Sequence, residues 1–268
     1  MGNVRLLALV QAKDQAWIIE RFLQRTCEIA DALVVLDDGS TDGTFEILQA
    51  HPKVIRLLRN PPGTPWNEVK CHRRLLSVAH EIAPEWIMNI DTDEILDARF
   101  VGARDEYLER SDVGRYHFKE ITLWNSIEHY RVDKPDWYMR ETGCSPILLR
   151  YTPTLDWSLP HLTSWKAFVK HSVKSVIEDH RLPKYYSVGI RKLSGQLPNE
   201  EKLPFVKLHY HFADRELAWR KHLKVGIIEA IQRKANQGEV EHIMEFVTRR
   251  LDETGLELAA VDPAWGAM

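Results

Sequence analysis

Leu33-Val34-Val35-Leu36-Asp37-Asp38-Gly39-Ser40-Thr41-Asp42-Gly43-Thr44 and Trp86-Ile87-Met88-Asn89-Ile90-Asp91-Thr92-Asp93-Glu94 decide the fold. In each, a short apolar run is followed at once by a cluster of acids. Runs of this length, rich in β-branched and aromatic residues, read as buried strands. Around them the chain alternates. Val4–Val10 and Val54–Leu58 are further apolar runs, and Asp14–Ala30, Thr44–Gln49 and Asn67–Ile82 carry apolar residues near helical spacing. Asp42 stands where a helix N-cap is wanted, and Pro84 closes the third helical segment. The order β-α-β-α-β-α-β predicts an α/β fold with a mostly parallel sheet covered by helices on both faces.

Both acid clusters then leave the carboxyl end of a parallel strand, the edge at which open α/β sheets form their ligand crevice. Two acid-rich turns at one edge repel each other unless positive charge lies between them. A divalent cation is the economical answer, since Mg²⁺ and Mn²⁺ take oxygen ligands and Mg²⁺ commonly joins carboxylates to substrate phosphates.

The later sequence is less regular. Tyr116–Leu123, Pro146–Tyr151 and Phe205–His211 are strand candidates. Asp214 is placed to cap a helix to about Gln237, and a second helix runs over Glu239–Glu253 before Gly255. The reading divides the chain into residues 1–112 and 113–212, two halves of one domain, and 213–268, a C-terminal helical segment. Trp124, Tyr130, Trp137, Tyr138 and other aromatics crowd the middle third, where core packing outweighs a sugar-stacking role at any single position.

Composition excludes several classes. The 36 Lys and Arg against 39 Asp and Glu leave a net charge of −3, which gives none of the basic excess of a nucleic-acid binder. A hydrophobic content of 44% with nine Trp excludes a disordered chain. Cys27, Cys71 and Cys144 are three widely spaced thiols, neither a disulfide framework nor a zinc knuckle. No apolar run approaches the roughly 18 residues of a membrane span. The expectation is a cytoplasmic protein, with peripheral contact at the inner face of a membrane left open. Val225, Ile227, Ile228 and Ile231 interleave with Lys221, Lys224, Arg233 and Lys234. That pattern fits packing on the catalytic domain, a dimer contact or a membrane surface alike.

A strand followed by DDGSTDGT and a later strand followed by DTDE resembles the nucleotide-sugar-binding half of a GT-A glycosyltransferase of the family 2-like group. The resemblance covers residues 4–100 well. It implies a GT-A-like, Rossmann-related sheet with C-terminal helices, residues 1–112 being the nucleotide-sugar-binding half and 113–212 the acceptor-binding half. It implies a metal-dependent enzyme that moves a sugar from a nucleotide-diphospho-sugar, a UDP-sugar first, to a hydroxyl of a carbohydrate or glycolipid acceptor. It places Asp37 and Asp38 on the nucleoside, with Asp38 toward the base. Asp91 and Asp93 fall on the DxD acids, one or both of which hold Mn²⁺ or Mg²⁺ against the diphosphate.

Relatives often show Asn-Glu after the first strand, where this chain has Lys13-Asp14, so Asp14 is the remaining candidate there. His72 and Arg73 match the donor-facing position of the helix before the DxD strand. A third metal ligand is expected in KLHYHF. His209 and His211 share a face there because strand side chains alternate, and His209 is favoured. Asp179, then Glu141, are the candidates for the base that deprotonates the acceptor, and His161 is a candidate near the acceptor. Two rivals share parts of the pattern. A haloacid dehalogenase-like phosphatase uses hhhhDxD, but on its first strand. An EF-hand loop matches Asp38, Ser40, Asp42 and Gly43, but Gln49 stands where the bidentate Glu belongs. A non-catalytic nucleotide-sugar-binding relative is the third.

Overall fold

The computed structural model describes residues 4–64, 68–141, 147–157, 190–192, 199–220, 223, 241, 245, 248, 249 and 251–266. The first part follows the predicted alternation: β1 (Leu6–Ala12), α1 (Ile19–Ile29), β2 (Ala32–Asp37), α2 (Thr44–Ala50), β3 (Val54–Arg59), α3 (Glu68–Ile82) and β4 (Trp86–Asn89). It continues with β5 (Glu94–Leu96), α4 (Arg99–Glu109), β6 (Val113–Trp124), β7 (His129–Arg131), the single turn α5 (Pro135–Tyr138) and β8 (Met139–Arg140). Then come β9 (Leu148–Arg150), β10 (Leu155–Trp157), β11 (Ile190–Lys192), β12 (Asn199–Phe212) and β13 (Leu258–Ala260).

The main sheet runs β13-β7-β6-β9-β4-β1-β2-β3, with β12 joined to both β6 and β5. β1 is parallel to β2 and β4, β2 to β3, and β12 to β6. The short β9 is antiparallel to both β4 and β6, so these two strands point the same way. The carboxyl ends of β1, β2, β3, β4, β6 and β12 therefore share one edge.

Alternation along β1 sorts the core. Leu6, Ala8, Val10 and Ala12 pack with Phe22 and Leu23 of α1, Leu48 of α2 and Phe100 of α4. Leu7 and Leu9 face the other way, onto Cys71, Leu75 and Ala79 of α3. A fully buried strand with helices on both faces must be apolar at every position, which is why β1 and β2 read as continuous runs.

Several boundaries differ from those predicted. The first helix starts at Ile19, not near Asp14, because Asp14 has φ +49° and residues 13–18 form a connection instead. Trp17 on that connection is exposed at 38% rather than packed. The segment around α4 carried no helical expectation; only Phe100 and Leu108 of its eleven residues are buried. Asp97 holds its start, accepting the Arg99 backbone N–H at 2.9 Å. Residues 215–220 are helical, and Asp214 accepts the Leu217 N–H at 3.0 Å, as a cap should. Trp124 and Tyr138 are core residues, set around Phe212 at ring distances of 5.1 and 5.7 Å. Among the described residues no helix is long and apolar enough to cross a membrane.

Asp31 ties the start of β1 in place. Its carboxylate accepts the backbone N–H groups of Arg5 and Leu6 at 2.9 and 2.8 Å and the Arg104 guanidinium at 2.7 Å. Burial alone would raise its pKa; the Leu6 N–H, Arg104 and the Arg5 N–H outweigh that and hold it below the usual carboxylate value. A depressed pKa contributes stability that is present above the unfolded value and is lost as pH falls through the folded one. Asp31→Ala is expected to cost about 1–2 kcal/mol in denaturant titration at neutral pH. The gap to wild type should narrow toward about pH 3; a gap independent of pH contradicts the assignment.

Candidate functional site at the carboxyl edge

The first acid turn follows β2. Asp37 is fully buried. It accepts the Ser40 N–H at 3.1 Å and pairs with Arg59 Nε at 3.3 Å. It thus braces the turn from within. Asp38, 6% exposed, accepts Asn60 Nδ2 at 2.6 Å, and Asn60 Oδ1 in turn accepts from Arg74 of α3. Gly39 sits at φ +72°, and a Cβ there would lie 2.8 Å from Pro62 Cα and 2.9 Å from Pro61 O. Only glycine lets the turn pass this close to the Pro61–Pro62 loop.

The connection after β1 is stitched to this turn. Lys13 Nζ donates to the carbonyls of Asp38 and Gly39. The Asp14 carboxylate accepts the Thr41 N–H at 3.0 Å, and its own N–H donates to Ser40 Oγ at 2.9 Å. Asp42 accepts Thr44 N–H and Oγ1 and the Ala16 N–H, so it braces the start of α2 from one residue before Gly43, the assigned cap. Of the two α3 positions expected to face the donor, His72 is buried and Arg73 is exposed. Burial lowers the His72 pKa to about 4, so this imidazole is neutral. The residue that reaches the Asp38 side of the site is Arg74, which the sequence reading passed over together with Asn60. Asn60 had a signal: it is the first residue after β3, on the same edge as Asp38.

The second acid turn follows β4. Asp91 N–H donates to Glu94 at 3.2 Å and Glu94 N–H to the Asp91 carbonyl at 3.0 Å, closing a tight turn with Asp91 exposed and Asp93 buried. The Tyr210 N–H donates to the Asp93 carbonyl at 2.8 Å, which locks the turn to β12. Asp93 Oδ2 lies 3.7 Å from His209 Nε2 and 3.4 Å from His211 Nδ1. Each of these three residues offers a ligand atom within 4.8 Å of the others.

Asp93, His209 and His211 are thus the group that can hold a cation. Both histidines take part, where His209 was favoured, and Asp91 is not among the three. Burial alone would lower the His209 pKa; Asp93, with Glu120 and Glu94 behind it, raises it. One carboxylate oxygen and two imidazole nitrogens form a sound donor set for Mn²⁺, the ligand separations being of the size a single ion spans.

Glu94 and Glu120 are buried and share Lys207, whose Nζ lies 2.9 Å from Glu120 Oε2 and bonds Glu94 Oε1. Burial would raise the Glu120 pKa, but Lys207, His209 and Arg140 bring it down to about 2. Glu141 pairs with Lys119 at 3.1 Å and is exposed. Lys119 neighbours Glu120 along β6 and so points to the opposite face, which sets Glu141 away from the Asp93 group. Asp179 and His161 lie outside the described residues. Cys27 and Cys71 are free thiols.

No known family profile matches the chain. Over 135 residues it is 34% identical to an uncharacterised protein of Mycobacterium tuberculosis and, equally, to one of Mycobacterium bovis; the match covers 47% of this chain and 32% of each relative, so the chain spans about a third of their length. Among solved structures it is similar to residues 1–349 of Staphylococcus aureus TarS, at 13% identity and a TM-score of 0.41 over 89% of this chain and 69% of that one. It is similar to the mannosyltransferase PcManGT from Pyrobaculum calidifontis, in complex with GDP-Man and Mn²⁺, at 24% identity and a TM-score of 0.33 over 43% and 35%. It is also similar to glucosyl-3-phosphoglycerate synthase from Mycobacterium tuberculosis, at 19% identity and a TM-score of 0.33 over 44% of each chain. The chain itself has an α/β fold, with its parallel strands ending at one edge, after which the two acid turns follow.

Proposed function

We propose that this chain is a metal-dependent glycosyltransferase that takes a nucleotide-diphospho-sugar donor and transfers its sugar to an acceptor hydroxyl. The observation that supports this most directly is the grouping of Asp93, His209 and His211 at the same sheet edge as Asp38. β1 alone separates β2, which leads to Asp38, from β4, which leads to Asp93. In this reading the nucleoside lies by the first turn and the cation by the second.

The chain's own residues divide the work. Asp38 faces the nucleoside as an acceptor of base N–H groups, its carboxylate held still by Asn60 and Arg74. Asp93, His209 and His211 hold Mn²⁺ or Mg²⁺, and Asp91, exposed on the same turn, is left to reach the ion through water or to contact the donor. When bound, the cation stabilises the negative charge that develops on the departing nucleoside diphosphate. Asp14 is committed to Thr41 and acts on the donor only through the shape of the turn. The base is proposed at Asp179, since Glu141, the second candidate, pairs with Lys119 on the face of β6 opposite Glu120. A UDP-sugar is the first donor to try and a carbohydrate or glycolipid the acceptor class, with synthesis of a polysaccharide or glycoconjugate as the setting. A cytoplasmic site of action, with peripheral contact at a membrane's inner face, belongs to the same proposal.

Two measurements test it. Wild-type protein should bind Mn²⁺ by isothermal titration calorimetry, hydrolyse or transfer from a nucleotide sugar with Mn²⁺, and stop on adding EDTA. Asp93→Ala removes the carboxylate donor and should weaken Mn²⁺ binding by more than about a hundredfold, beyond the range of outer-shell changes. Equal activity with and without chelator in both proteins refutes the metal role. Asp38→Ala should lower UDP affinity by about 1–3 kcal/mol, the cost of an unanswered buried donor, while leaving Mn²⁺ affinity in the absence of nucleotide unchanged. Unaltered UDP binding removes Asp38 from the nucleoside site. Hydrolysis of a generic phosphomonoester by wild type would favour the phosphatase reading instead.

A further inference from the structure

Behind the three candidate ligands lies a buried ionic group. Lys207, with 4% of its side chain exposed, sits between Glu94 and Glu120. Register explains the placement. Lys207 stands beside Glu120 and His209 beside Thr122 in the parallel β12–β6 ladder, and His209 also stands opposite Glu94 of β5. Residues two apart on a strand share a face, so Glu120, Lys207 and His209 all look to one side of the sheet.

Two atoms in this group are buried and lack a hydrogen-bond partner among the described residues: Glu120 Oε1 and His209 Nδ1. They face each other at 3.8 Å. Arg140 Nη2 lies 2.9 Å from the same Oε1 as an ion pair but makes no hydrogen bond to it. Glu120 Oε2 is already taken by Lys207. The other ring nitrogen of His209, Nε2, is the one turned to Asp93 Oδ2. A buried carboxylate oxygen and a buried ring nitrogen that face each other are each costly unanswered, and a small approach from 3.8 Å would let one hydrogen bond answer both.

We propose that Glu120 is a positioning residue for the metal ligand His209: it accepts the Nδ1–H, fixes that tautomer and leaves the Nε2 lone pair directed at the cation beside Asp93. This rests on the metal reading above. An outer carboxylate of this kind orients a ligating imidazole and strengthens it as a donor. A lone buried carboxylate would be expensive at this place, and Lys207 and Arg140 offset it. Lys207 extends the same support to the second turn, because Glu94, its other partner, accepts the Asp91 N–H. One buried lysine thus couples the strand that carries both histidines to the turn that carries Asp93.

The test is Mn²⁺ affinity of the full chain, read by calorimetry and by the electron paramagnetic resonance signal of free Mn²⁺, for wild type, Glu120→Gln, Glu120→Asp and Asp93→Ala. Glu120→Gln presents an amide group to Lys207, Arg140 or His209 and should raise the Mn²⁺ Kd about 10–100-fold. Glu120→Asp keeps the charge and should recover part of that loss. A role in folding alone would lower the melting temperature of the ion-free variants and leave the Kd of the folded protein unchanged, and that result overturns the proposal. Tautomer assignment by long-range ¹H–¹⁵N correlation on ion-free wild type, above the pH at which His209 titrates, needs no variant to fold. Protonation at Nδ1 supports the proposal, and protonation at Nε2 overturns it. Loss of Mn²⁺ binding in Asp93→Ala but not in Glu120→Gln sinks this inference and spares the metal reading. A wild type that binds no Mn²⁺ sinks the metal reading and this inference with it.

Discussion

The constraint on which the rest of this structure depends is the concentration of carboxylates at one edge of a sheet. Parallel strands deliver Asp37, Asp38, Asp91, Asp93 and Glu94 to that edge because their carboxyl ends coincide there. Packed side by side without compensation, these groups would take up protons or distort the turns. The chain answers most of them individually. Arg59 pairs with Asp37, Asn60 and through it Arg74 hold Asp38, and Lys207 takes Glu94 and Glu120 together. What faces Asp93 is different in kind: two imidazoles, which serve as ligands when neutral and as counter-charges when protonated. In the first turn Asp37 and Asp38 are answered by Arg59 and Asn60, and among the described residues the group able to hold an ion lies at the second turn.

This explains how much of the site was legible. The strands announced themselves because a sheet covered on both faces needs unbroken apolar runs, and each acid cluster sits directly after one. The KLHYHF alternation placed two histidines on one face, and both do come to Asp93. Charge partners that close in three dimensions left no such mark. Arg59, Asn60 and Arg74 look like ordinary residues at a strand end and on a helix, and nothing local in Lys207 shows that it is nearly fully buried. His72 and Arg73 were the α3 candidates, and Arg74, about 100° further round the helix from Arg73, is the one bonded to Asn60 beside Asp38. The helix α4 was missed because two buried residues in eleven, with Gly102 among them, give almost no periodic signal.

Long β12 decides whether the two halves of the site form one object. Its fourteen residues run beside β6 and, antiparallel, beside β5, so the strand that carries both histidines is hydrogen-bonded directly to the segment that follows Asp93. The Tyr210 N–H on the Asp93 carbonyl extends that contact into the turn itself. The ladder between β12 and β6 is not regular: its register shifts between His209 and Phe212, where β12 spends one residue more than β6. An extra residue at such a place bends a strand and re-aims its side chains. Here it falls between His209 and Phe212, within the stretch that holds His211. Phe212 beyond it is anchored by Trp124 and Tyr138 in a cluster whose Arg131 is itself buried, with its guanidinium carbon 4.6 Å from the Trp124 ring centre. The aromatic residues of the middle third thus serve the site indirectly. They fix the end of the strand, the irregularity before them falls in the stretch that holds His211, and the buried lysine two residues before His209 keeps Glu120 charged behind it.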